Sequence, residues 1–104
     1  MKNFTTTKLI EILPIGICML NIPEIVSQEE IDDFFTTISS NVKRIREEKG
    51  MSQLEVALMI GQKSSGFYAN TENYKHGKHF NLLHLLKLSK LFNVSVEEFL
   101  IKRS

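Results

Sequence analysis

"RIREEKGMSQLEVALMIG", Arg44 to Gly61, carries the punctuation that decides how this chain folds. A run of apolar residues at helical spacing enters it and stops at Gly50, a residue suited to a left-handed helix C-cap. Two residues later Ser52 opens "SQLE", a serine followed three positions on by a glutamate, the signature of a capping box. Leu54, Ala57 and Leu58 then fall at i, i+3 and i+4, with Gly61 at i+7. The spacing predicts a two-turn helix with a small residue at its centre and a glycine at its end. Ala57 and Gly61 let a neighbouring helix cross closely, so this helix, its glycine turn and the segment after it form a helix-turn-helix candidate.

Working upstream, "SQEE" (Ser27–Glu30) is another capping box, followed by Ile31, Phe34/Phe35, Ile38, Val42 and Ile45. A long helix is expected over about 28–49, with a bend near Ser39–Ser40. Downstream, Asn81 can cap the run "LLHLLKLSKLF". Its face of Leu82, Leu85, Leu86, Ser89 and Phe92 is widened by Leu83, Leu88 and Leu91. So broad a stripe predicts a helix packed on more than one side. Asn93 suits its C-cap, and "SVEE" (Ser95–Glu98) opens a last short helix with Val96, Phe99 and Leu100 on one face.

Residues 1–26 differ in character. Isoleucines at 10, 12, 15, 17, 22 and 25, with Pro14 and Gly16 between them, favour one or two short strands over helix. Two strands alone are marginal in water, so this segment needs a partner surface. The apolar run Leu9–Leu20 is broken by Glu11 and Pro14 and is too short to span a bilayer. Cys18 is the single cysteine, which excludes an internal disulfide and fits a reducing compartment. A cytoplasmic protein with no membrane association is the expectation. Charge is divided along the chain. Residues 1–40 hold two lysines against six acids, a net −4, and residues 41–104 hold eleven Lys/Arg against six glutamates, a net +5. That asymmetry points to a basic working surface on the C-terminal part.

Asn41 to Leu100, read through "RIREEKGMSQ" and "LLKLSKLFNVSVEEFL", resembles the Cro/phage-repressor (XRE-type) helix-turn-helix domain. The resemblance implies a mainly α fold: a five-helix bundle of the lambda-repressor-like type over residues 27–104. The extended or β-strand segment 1–26 that precedes it is expected to serve dimerisation, because exposed β-prone sequence pairs readily with its two-fold copy. The resemblance also implies DNA binding, usually as a dimer, and transcriptional control. Between Gly61 and Asn81 the chain departs from the family pattern in length and in residue type. The recognition helix falls there, on "SSGFYANTEN", residues 64–73.

The candidate contacts cluster around that helix. Gln53, on the first turn of the preceding helix, would hold a backbone phosphate, as the family's residue does. Lys63, Ser64 and Ser65 lie at the recognition helix's N-terminus; one serine serves as N-cap, and at least two of the three are expected to meet DNA. Phe67 and Tyr68 are ~100° apart on a helix and cannot both face the groove. Phe67 is expected in the core, and Tyr68 partly exposed with its hydroxyl on a phosphate. Asn70 and Asn73, at i and i+3, suit bidentate bonds to adenine. Lys75 and Lys78, in the basic loop "YKHGKH", suit phosphates. Glu72 is expected to bond inside the bundle, and Lys43, Arg44 and Arg46 to form a solvated face, with one of them within reach of the DNA backbone.

His76, His79 and His84 lack cysteine or carboxylate support for a metal site. No phosphate loop or catalytic constellation is visible. The expectation is therefore a non-enzymatic protein without metal or cofactor, whose partner is double-stranded DNA. Two functional readings follow: a homodimeric sequence-specific regulator, or an antitoxin-like module whose residues 1–26 engage a different protein.

Overall fold

A computed structural model describes residues 24–103, so Cys18 and nearly all of the expected N-terminal extended segment lie outside the described residues. Helix α1 runs Gln28–Glu48, α2 Gln53–Met59, α3 Ser65–Glu72 and α4 Leu82–Phe92. One 3-10 turn, Lys75–Gly77, lies between α3 and α4, and another, Val96–Phe99, follows α4. There is no strand among the described residues.

The elements begin and end where local chemistry dictates. Ser27 and Ser52 each close a complete capping box, with Glu30 and Glu55 reaching back to the cap N–H. Asn81 does the same with His84, whose Nδ1 accepts from the Asn81 N–H at 3.3 Å. Burial, then the charge of Lys87, pushes His84 down from its ordinary pKa, which suits a neutral accepting ring. Gly50 and Gly61 take φ of +70° and +80°. After α2 the Gln62 N–H returns to the Ala57 carbonyl and the Gly61 N–H to Leu58, the paired bonds of a Schellman motif. Asn93 ends α4 in the left-handed region, as its position predicts.

The expected fifth helix is a single 3-10 turn. Ser95 accepts from the Glu97 N–H rather than from Glu98, so the cap closes one residue early and no α-helical turn is nucleated. Its Phe99 is nonetheless fully buried. Asn41 on α1 clamps this terminus by donating to the carbonyls of Phe99 at 2.9 Å and Ile101 at 2.7 Å.

The core gathers Ile38, Val42 and Ile45 of α1, Val56, Ala57 and Ile60 around α2, Tyr68 of α3, Phe80, and Leu85, Leu88 and Phe92 of α4. One expected face is rotated and another is narrower than expected. In α2 the buried side is Val56, Ala57 and Ile60, while Leu54 and Leu58 are exposed. In α4 Leu82, Leu83 and Leu86 are exposed, so this helix is packed on one side only among the described residues. A two- or three-turn apolar pattern is compatible with several phases, and the neighbouring helices select one. α1 stays helical through Ser39–Ser40, where the Ser39 hydroxyl turns inward and donates to the Thr71 carbonyl.

Candidate nucleic-acid interface

Helix α3 is held from behind by a buried polar network. Arg46 of α1 forks onto Glu72, with Nε to Oε2 at 2.8 Å and Nη2 to Oε1 at 3.1 Å. Its Nη1 donates to the Met51 carbonyl at 2.8 Å, which fixes the α1–α2 turn. Gln53, at the start of α2, donates to Glu72 Oε1 at 3.0 Å. One carboxylate thus joins three helices. Burial alone would raise the Glu72 pKa, but the hydrogen bonds from Arg46 and Gln53 outweigh it and hold the carboxyl below its usual range.

Tyr68 and Phe67 reverse the expected arrangement. Tyr68 is fully buried against Phe80, ring centroids 5.7 Å apart, whereas Phe67 is 48% exposed. The Tyr68 hydroxyl therefore cannot reach a phosphate. It is enclosed beside the Arg46–Glu72 pair, meets no hydrogen-bond partner of good geometry among the described residues, and burial pushes its pKa up. The cause is the phase of α3: Thr71 and Glu72 must face α1 for the network to form, and that places Tyr68, not Phe67, on the inner side.

The outward face carries Gly66, Phe67, Asn70 and Asn73. Asn70 is half-buried and Asn73 exposed. Asn73 is also the C-cap of α3, and its amide donates to the Ala69 carbonyl at 2.9 Å. At the other end Ser64 is the N-cap, accepting from the Phe67 N–H at 3.3 Å. Ser65 is the first helical residue, and Lys63 is exposed just before the cap. After α3 the chain makes a tight loop in which Tyr74 and His76 take left-handed φ of 53° and 57°. The loop is pinned to α1: the Tyr74 hydroxyl donates to Asp32 at 2.7 Å, and His79 stacks on Phe35 at 3.9 Å. It leaves Lys75 and Lys78 exposed beside α3. From Val56 to Val96 the chain has five lysines and one acid, Glu72, and that acid is buried and paired. The outer side of α3 and the loop after it therefore exposes lysines and no carboxylate, while the exposed Glu55 of α2 is tied to its own N-cap at Ser52.

A family model described as Helix-turn-helix matches residues 42–99. The chain belongs to this family. It is a helix-turn-helix protein of the XRE, Cro-like type, a DNA-binding regulator family rather than a family of enzymes. Among curated proteins and solved structures nothing matches.

In this helix-turn-helix domain the tertiary structure brings Gln53, Lys63, Ser64, Ser65 and Asn70 to one motif, with Asn73, Lys75 and Lys78 at its C-terminal flank. It removes Tyr68. It also moves Arg46 from the expected solvated face into the interior, 8% exposed, where it organises the motif. The sequence signal for Arg46 was its place among inward-facing residues: it follows Ile45 and lies four after Val42. Phe67 was missed as an outward residue because its apolarity argued for the core. Among the described residues no group of three or more His, Cys, Asp or Glu is placed to hold a metal ion, and no helix is long and apolar enough to cross a membrane.

Proposed function

We propose that the protein is a sequence-specific transcriptional regulator that binds DNA as a homodimer, each copy laying α3 in a major groove. The observation that carries this reading is the asymmetry of α3. Its inner side is locked by Glu72 and Tyr68, and its outer side offers Asn70 and Asn73 between the exposed cations Lys63, Lys75 and Lys78. Asparagine amides match the adenine edge, and the lysines match the phosphates on either side. Gln53 reaches Glu72 with one amide hydrogen and keeps the second for a phosphate. Two such motifs related by a two-fold axis read half-sites about 34 Å apart.

Residues 1–26 supply the dimer contact in this reading. Support comes from the end of the described chain, where Ile25 is 75%, Val26 44% and Phe34 51% exposed. This apolar surface continues the isoleucine-rich segment that joins it and suits pairing between two copies. The same surface fits the second reading, an antitoxin-like module whose N-terminal segment covers a foreign protein. Mass in solution separates them: a dimer stable on dilution supports the first, a monomer the second.

DNA binding itself is tested by fluorescence anisotropy with random and selected duplexes across a salt series. The expected result is affinity that falls steeply with salt, together with a sequence motif enriched from a random pool. No binding to any duplex at low salt would end the proposal.

A further inference from the structure

Phe67 is the one exposed large apolar side chain on α3, whereas α2 exposes Leu54, Leu58 and Met59 and α4 exposes Leu82, Leu83 and Leu86. On a helix surface the neighbours of a side chain lie three and four residues away. Within α3 those of Phe67 are Asn70 and Thr71, both polar. No apolar side chain of its own helix covers the ring, and Tyr68 has taken the core position that an aromatic in this segment would fill.

We infer that Phe67 is a specificity-determining residue that packs against the C5-methyl group of a thymine in the major groove. The inference rests on the proposed placement of α3 in DNA and adds the chemistry of one contact. A phenyl ring has no donor or acceptor. The apolar feature on the major-groove edge of the four unmodified base pairs is the thymine methyl, and phenylalanine is among the side chains suited to it. Gly66, immediately before Phe67, lets the groove come close. A Cβ there would meet Ser64 Oγ at 3.6 Å, an ordinary contact, and Gly66 has no positive φ, so neither crowding nor backbone geometry requires a glycine. Asn70 lies three residues from Phe67, about 4.5 Å along the helix axis. The thymine is thus within about two base pairs of the adenine assigned to Asn70, given a base-pair rise of about 3.4 Å.

The test exchanges single thymines for deoxyuridine, which keeps base pairing and removes only the methyl. It uses the full chain on a duplex selected from a random pool. The expected result is one thymine per half-site whose exchange weakens the wild type about fourfold, the worth of one buried carbon group. Phe67→Ala should bind the thymine and deoxyuridine duplexes equally, while Phe67→Leu should retain the preference. Equal losses for wild type and Phe67→Ala would overturn the inference, as would a duplex in which no exchange matters. If instead no duplex binds at low salt, the DNA-binding reading itself fails, an outcome visible before any exchange is made.

Discussion

The two sides of α3 are built from the same eight residues under opposite rules. The inner side, Tyr68, Thr71 and Glu72, is buried and answers to Arg46, Gln53 and Ser39. The outer side, Gly66, Phe67 and Asn70, has no partner of that kind among the described residues, and the best helix formers are missing from it. A segment so weak as an isolated helix holds its place because the network behind it does. Labour is divided across the helix: one carboxylate and its partners hold the inner side in place, which leaves the opposite face free to carry chemistry that packing would not select.

The largest effect should come from breaking the inner side. Arg46→Met leaves Glu72 buried and uncompensated, and should cost about 3–5 kcal/mol in urea denaturation, a large share of the stability of a small domain. DNA binding should fall with it. Acid tests the same carboxylate. Because the folded-state pKa of Glu72 is depressed, its stabilisation is fully present above the unfolded value near 4.5 and is lost as pH falls through the lower folded value. The wild type should therefore weaken below about pH 4.5, and Glu72→Gln should show a flatter profile there. Parallel profiles would mean that the carboxylate is not the hub of the motif.

On the outer side the effects should separate from stability. Asn70→Ala should leave the unfolding midpoint within about 0.5 kcal/mol of wild type. It should lower discrimination at one base pair by about 1–3 kcal/mol. A uniform loss on all duplexes would deny it a base contact. Gly66→Ala sharpens the contrast further, since alanine should raise stability by up to about 1 kcal/mol while weakening DNA binding. A variant that gained stability and kept full affinity would show that the backbone does not approach the groove there.

Lys78→Ala should weaken all duplexes alike and reduce the salt slope by about 1, read from anisotropy at several salt concentrations. The smallest effect is expected at the centre of the inner side. Tyr68→Phe removes a buried hydroxyl without a well-formed hydrogen bond and should change stability by less than about 1 kcal/mol. A loss near that of Arg46→Met would place the phenol inside the network instead.

Much of the fold was legible in the sequence, because its signals are local. Ser27, Ser52 and Asn81 start their helices by bonding a backbone N–H three residues away, and Gly50, Gly61 and Asn93 end theirs by adopting a positive φ. Such contacts close within one turn and need no partner from the rest of the chain. At the motif the reading held for Ser64 as an N-cap candidate and for Glu72 as an internal partner. It went astray at Tyr68, Phe67 and Arg46, where side-chain type suggested the wrong environment.

The sequence by itself therefore determined the order and punctuation of four helices, the basic bias of the C-terminal part and the helix-turn-helix family. The apolar stripe of the long α1 already set its inward face at Ile38, Val42 and Ile45, but the tertiary structure alone decided the phase of the short α2 and α3. Adjacent residues on a helix differ by ~100°, so a small rotation exchanges neighbours such as Phe67 and Tyr68. In α3, a two-turn helix, the residues themselves do not fix that rotation; it is fixed by a buried ion pair between Arg46 and Glu72, twenty-six residues apart in sequence.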